Sequence, residues 1–247
     1  MTKVLIAAPL RQEKKIFAAY QDALDALILP AGVTADRFFV VNDCPEIVPE
    51  IRSGSWVVRD TGEAYQKTGN DHIWTESNML AMSRLRNEIL WHAGRSGYDY
   101  VFSVDTDVIL RPETLARLLQ LQRDIVSEVF WTVGPNGRAW CNAWMYDQAS
   151  GMKAEWGRPD VYRVGMTGAC TLISRKVWEA GVDFTPIPNI KAALKGEDRH
   201  FCVRAACAGF ELWLDTTCPA EHLYTEAVYR KWKVRQARRE DCGKLPL

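Results

Sequence analysis

The chain has 247 residues, 47% hydrophobic and 25% charged, and its acids and bases balance to a formal net charge of zero. That mixture fits an ordinary globular protein with a sizeable core. The absent net charge argues against a general nucleic-acid binder, and no apolar run approaches the ~20 residues of a membrane span.

Val4–Ala8 reads as a buried strand that begins almost at the first residue and is stopped by Pro9. A helix over 12–29 follows, with Ile16, Tyr20, Leu24 and Leu27 at helical spacing. Arg37–Val41 is a second strand, ending at Asn42 and Asp43. Strand, helix and strand at this spacing open an α/β domain. After a less regular stretch holding a short strand at Trp56–Arg59, Ser77–Ala93 reads as a helix closed by Gly94, and Tyr100–Val104 as a third buried strand reaching Asp105. Pro112 sits at the first turn of a helix over 113–122, and Ile125–Trp131 is another strand.

The texture changes near residue 132. Gly134 to Gly137 reads as a turn, and 138–164 as short strands and loops rich in aromatic residues. Gly165–Ser174 is a strand approach, and Arg175–Ala180 a helix. A helix over Asp198–Ala208, a strand at Phe210–Leu214 and a basic helical tail from Thr225 complete the chain. The tail carries six cations among the eleven residues Tyr229–Arg239. It is expected to be a solvated helix, with closure over a diphosphate or weak contact with an anionic membrane as alternatives. The seven cysteines form no C-x-x-C, their number is odd, and the N-terminal apolar stretch is too short for a signal peptide. Reduced thiols in a cytoplasmic protein are expected.

Ligands of parallel α/β sheets gather beyond the carboxyl ends of the strands. Pro9, Leu10 and Arg11, then Asn42 and Asp43, then Asp105, Thr106 and Asp107 would meet at one such edge. At strand periodicity Asp105 and Asp107 point the same way and would grip one cation, manganese or magnesium, with substrate phosphates completing its shell. The alternative is a surface turn that caps the next helix. His222 is a candidate third ligand, which would favour manganese, or a surface histidine beside Glu221. Glu197 and Asp198 after Gly196 stabilise a helix start or supply a general base. Arg86 falls on the apolar stripe of Met79, Met82 and Ile89, where its charge needs a phosphate or the acids as partner, unless it snorkels to water. Asp43 and Arg11 would touch a nucleotide, or else serve a local turn and solvent. Trp131, Trp140, Trp144 and Trp156 are divided between an acceptor platform and the core. His92 reads as a helix C-terminal cation.

Seven segments in order, Ala8–Arg11, Val40–Pro45, Ser83–Leu90, Phe102–Leu115, Val164–Trp178, Gly196–Cys202 and Cys218–Tyr224, resemble the nucleotide-sugar glycosyltransferases of the GT-A fold, in the broad family-two-like superfamily. The resemblance spans about residues 3–225. It implies a single GT-A-like α/β domain with a mainly parallel central sheet flanked by helices and a smaller irregular acceptor-side half. Residues 1–131 would bind the nucleotide sugar, 132–224 would hold the acceptor and the catalytic acid, and 225–247 would form the basic tail.

The resemblance further implies a UDP- or GDP-sugar donor and an acceptor hydroxyl. Asp43 would meet the base, and Arg86 the base, ribose or diphosphate. Asp105 would contact ribose or metal, and Asp107 and His222 would hold the metal. Gly168 and Ala169 would line the sugar-acceptor pocket, and Asp198, beside Glu197, would be the base of an inverting transfer. Cys44 and Pro45 depart from the pattern, and the Gln-x-x-Arg-Trp helix of processive synthases is not evident. A retaining transferase, a sugar nucleotidyltransferase and a non-catalytic sugar- or nucleotide-binding module are the alternatives. The last two are disfavoured by the lack of a glycine-rich N-terminal loop and by the retained acids.

Overall fold

Successive residues of the first strand, β1 (Thr2–Leu10), point to opposite faces of the sheet, and both faces are buried. Val4, Ile6 and Ala8 pack with Ile16, Phe17, Tyr20 and Leu24 of α1 (Lys14–Asp25). Leu5 and Ala7 pack with Leu85, Ile89 and Ala93 of α2 (Glu76–Ser96). The sequence thus sets one layer of helices on each side, as in other α/β domains. The structure, a computed structural model, describes residues 1–64, 66–68, 71–73, 75–133, 137–145, 154–190 and 196–243, with side chains at 1–64, 75–133, 137–145, 155–190 and 196–237. Gly134, Pro135 and Asn136 of the expected turn and the side chains of Arg238 and Arg239 in the tail lie outside the described residues.

The remaining strands are β2 (Val33–Asn42), β3 (Ser55–Arg59), β4 (Gln66–Thr68), β5 (Asp71–Ile73), β6 (Tyr100–Ser103), β7 (Val108–Ile109), β8 (Ile125–Val133), β9 (Ala139–Cys141), β10 (Ala143–Trp144), β11 (Val161–Val164), β12 (Met166–Thr167), β13 (Thr171–Ser174) and β14 (Leu212–His222). The other helices are α3 (Thr114–Gln120), α4 (Arg175–Glu179), α5 (Glu197–Cys207) and α6 (Glu226–Gly243). The main sheet runs β11-β14-β8-β13-β6-β1-β2-β3, with β7 on β14 and β9 on β8. Strands β6, β1, β2 and β3 are mutually parallel, as are β14 and β8. Strand β13 runs against both its neighbours. The expected α/β domain is therefore present, with a mixed, largely parallel sheet.

Several boundaries differ from expectation. Pro9 does not stop β1, whose pairing with β2 continues to Leu10–Val41. The Ala7 carbonyl faces β6, so by alternation the Pro9 nitrogen faces β6 too, beyond the last pair, Ala7–Ser103. A missing N–H removes no ladder bond there. Helix α1 ends at Asp25, and the N–H of Ile28 bonds instead to Pro112. Gly94 stays inside α2, facing Trp178, and the helix closes at Gly97 with φ 71°. Its start is capped by Thr75, whose Oγ1 accepts from the Asn78 N–H. Strand β14 runs far past Leu214, because Pro219 is absorbed in an irregularity between Asp215 and Ala220.

His92 stacks on Phe38 with ring centroids 4.0 Å apart, and burial lowers its pKa, so it is not the expected cation. In the tail, α6 anchors Trp232 in the core and leaves Arg230, Lys231, Lys233 and Arg235 exposed. None of the described helices is long and apolar enough to cross a membrane.

Candidate active site

The ends of β1, β2, β6 and β14 reach one edge of the sheet and floor a cleft of about 1100 Å³. Pro9, Arg11, Asp43, Arg86, Asp105, Thr106, Asp107, Gly168, Ala169, Glu197, Asp198 and His222 all line it. These candidates for donor, metal and catalytic roles thus share one cavity, of the size that small-molecule sites have.

Arg86 sits at the base of the cleft. It lies on the α2 face that carries Met79 and Met82 into the cavity, and only 4% of it is exposed. Its Nη2 donates to Asp105 Oδ1 at 2.9 Å, its Nη1 to Ser103 Oγ at 3.1 Å, and its Nε to Glu197 Oε1 at 3.2 Å. Asp198 Oδ1 lies 3.7 Å from the same Nε. Burial works against the guanidinium charge, but the three carboxylates outweigh it and hold Arg86 protonated. Snorkelling is excluded: the charge is inside, and acids from two distant parts of the chain surround it.

Those acids differ from one another. Burial raises the Asp198 pKa to about 7, with Arg86 pulling it down and Glu197 and Asp105 pushing it up. Part of that burial is supplied by Gly168. A Cβ placed there would lie 3.0 Å from Asp198 Cγ, and closer still to Oδ2, so only glycine leaves the acid its position. Ala169 and Cys170 follow with φ of 48° and 44°, a left-handed pair without glycine, which is costly backbone. Asn142 pins this turn. Its Nδ2 donates to the carbonyls of Glu128 and Gly168, and its Oδ1 accepts from the Phe130 N–H, each at 3.0 Å.

Contrary to expectation, Asp105 and Asp107 are not strand residues. Strand β6 ends at Ser103, and both acids lie in the turn before β7. They do not share a strand face, and Asp105 Oδ1 is engaged by Arg86. Asp107 instead meets His222. The β7–β14 pairing sets Val108 opposite His222, and the Leu223 N–H donates to the Asp107 carbonyl at 2.7 Å. His222 Nε2 then lies 3.4 Å from Asp107 Oδ2. Its Nδ1 contacts Thr132 Oγ1 at 2.9 Å, and the rings of Phe130 and Tyr224 flank it.

One carboxylate and one imidazole nitrogen are a donor pair that suits manganese, and magnesium less well. Among the described residues no three His, Cys, Asp or Glu side chains converge as a metal cluster. An ion here would draw the rest of its shell from phosphate oxygens and water, as such ions commonly do.

Asp43 has φ 52° and turns its carboxylate onto Thr61, accepting from the Thr61 N–H at 2.7 Å and from its hydroxyl. Burial raises its pKa, but these bonds and Arg11 more than offset that and keep it ionised. Trp140 and Trp144 line the cleft, whereas Trp156 is buried in the core and Trp131 packs against it, so the expected aromatic platform reduces to the first two. Nothing in the sequence marks Thr61, Thr132 or Asn142. Each is a lone polar residue outside any periodic pattern.

No family model matches the chain. One sequence relative, a glycosyltransferase 25 family member of Aedes aegypti, is 30% identical over 83 residues, which is 33% of this chain and 14% of that protein. Among solved structures, the mannosyltransferase PcManGT from Pyrobaculum calidifontis, in complex with GDP-Man and Mn2+, aligns with a TM-score of 0.54 at 15% identity over 95% of this chain and 60% of its own. S. aureus TarS 1–349 with UDP-GlcNAc gives 0.53 at 15% identity over 90% of this chain and 58% of that one. The chain thus spans less than two thirds of the proteins it resembles. At such identities the likeness is one of fold: the chain has the glycosyltransferase fold found in nucleotide-sugar transferases.

Proposed function

We propose that this chain is a glycosyltransferase that moves a sugar from a UDP- or GDP-sugar to an acceptor hydroxyl, with inversion and with Asp198 as the base. The observation that carries the reading is the junction at Arg86: one buried guanidinium ties Asp105, two residues before the Asp107 that meets His222, to Asp198 in the first turn of α5. In this reading residues 1–131 hold the donor, with Asp43 and Arg11 toward the nucleotide. Residues 132–224 supply the acceptor wall. The solved relatives with GDP-Man and Mn2+ and with UDP-GlcNAc support the donor class.

Asp107 and His222 would hold a manganese or magnesium ion, which when bound offsets charge on the departing diphosphate. The chain's own residues do the rest. Arg86 holds Asp105 and Glu197 in place. Asp198, with a pKa about 7, is matched to taking a proton from the acceptor hydroxyl near neutral pH. The acceptor oxygen attacks the anomeric carbon as the C1–O bond to the diphosphate breaks. Gly168 sets the approach by letting Asp198 lie against the backbone.

Titration calorimetry with UDP and with GDP, each with and without manganese, tests this. Binding of at least one that depends on manganese and is lost in Asp107→Ala is expected. No metal-dependent binding of either nucleotide sinks the reading. The product anomer, read by NMR, tests inversion.

A further inference from the structure

The two tryptophans on the cleft belong to different ends of it. Strand β9 runs against β8, and its register sets Trp140 directly opposite Thr132. Residues so paired share a face of the sheet, with Cβ atoms about 4.5–5.5 Å apart, and both of these line the cleft. The next pair, Trp131 and Cys141, turns into the core on the other face. Thr132 Oγ1 contacts His222 Nδ1 at 2.9 Å, and His222 Nε2 lies 3.4 Å from Asp107 Oδ2. Trp140 therefore stands one side chain away from the Asp107–His222 pair. Trp144, four residues on in β10, lies under the guanidinium of Arg199, the residue after Asp198.

Trp140 is 40% exposed, and an indole offers a ligand a large apolar face. A diphosphate gains nothing from such a face. The nucleotide base has its place elsewhere, at Asp43, where β2 ends. Strand β2 is four places from β8 in the sheet, roughly 19 Å at about 4.8 Å per strand. A donor laid from Asp43 toward Asp107 and His222 has only its sugar left to bring to Trp140. We propose that Trp140 packs against the apolar C–H face of the pyranose ring being transferred, and so holds the donor by its sugar. This rests on the transferase reading and names the donor class: a nucleoside diphosphate joined to a pyranose with one face free of hydroxyl groups pointing at the indole.

Calorimetry on the full chain with manganese compares UDP with UDP-glucose and UDP-N-acetylglucosamine, and GDP with GDP-mannose. At least one sugar nucleotide is expected to bind the unaltered chain more tightly than its own nucleoside diphosphate. Trp140→Ala is expected to weaken that sugar nucleotide about tenfold, the scale of an aromatic packing contact, and to leave UDP and GDP binding unchanged. Their unchanged binding also shows that the variant is folded. Trp140→Phe is expected to fall between, because it keeps a smaller apolar face. No sugar nucleotide binding more tightly than its diphosphate overturns the proposal, and so does an unchanged margin in Trp140→Ala. Equal weakening of a diphosphate and its sugar nucleotide overturns it too, since Trp140 would then be a prop for Thr132 and His222. Absence of UDP and GDP binding in the unaltered chain defeats the transferase reading instead, so the two failures are distinct.

Discussion

The two walls of the cleft hold their residues by different means. On one side β1, β2 and β6 are parallel and regular, and Pro9, Arg11, Asp43 and Asp105 sit where those strands run out. On the other, between β8 and α5, short strands carry little of the load. Gly168, the left-handed pair Ala169 and Cys170, and the bonds of Asn142 set the geometry. The first wall is fixed by the sheet and would survive loss of a side chain. The second is fixed by individual contacts and would not. Arg86 is where the two depend on each other.

Removing that link should have the largest effect. Arg86→Met leaves buried or partly buried Asp105, Glu197 and Asp198 without their cation. Breaking a buried pair costs about 3–5 kcal/mol, and the exposure of Asp105 and Asp198 places this case near the low end. Urea unfolding should show a loss of about 3 kcal/mol, and an unchanged midpoint would mean that the walls are independent. Next comes Gly168→Ala. Overpacking of this kind costs about 1–3 kcal/mol. It displaces Asp198, so turnover should fall about a hundredfold while UDP or GDP affinity, measured by calorimetry, is kept. Equal loss of both would erase the distinction between walls.

Thr132→Val should act more narrowly. It removes the contact at His222 Nδ1 and frees the ring to turn, and losing such a partner weakens metal affinity about tenfold to a hundredfold. Manganese titration in the presence of UDP reads this, with stability little changed. The smallest effect concerns pH. As the proposed base Asp198 must be ionised, so turnover should rise with pH through about 7, and Asp198→Asn should remove that limb. Stability has the opposite sign. A carboxyl whose folded pKa is raised favours the fold below its unfolded value, near 3.8, and loses that contribution as pH rises through about 7. Buried Glu128, raised from 4.5 to about 9 by burial and then by Asp215, extends the decline. Glu128→Gln should flatten the stability profile between those limits.

The regular wall was legible in the sequence because its signals are local. Apolar runs mark β1, β2 and β6, and a single charge in an apolar stripe marks Arg86. The corrections lie where tertiary contacts override a local sign. Pro9 is harmless beyond the last β6 pair, and Pro219 is absorbed in a bulge within β14. The second wall was hardly legible. Asn142 reaches the Gly168 carbonyl 26 positions away and Thr132 reaches His222 90 positions away, and no periodicity records such partners. Gly168 was marked by its motif alone. Its physical reason, room for Asp198, needed the fold.

The reversed strand β13 has one more consequence. Strands β1, β2, β6 and β14 deliver their exits to the cleft, but β13 delivers its entrance, so the chain arrives at the proposed acceptor wall before the strand begins. Insertions or exchanges upstream of Thr171 therefore land beside the reacting groups without lengthening any connection in the parallel half. A lineage, or an engineer, has in that stretch a place to alter the acceptor of the proposed transfer while the side proposed to face the nucleotide is inherited unchanged.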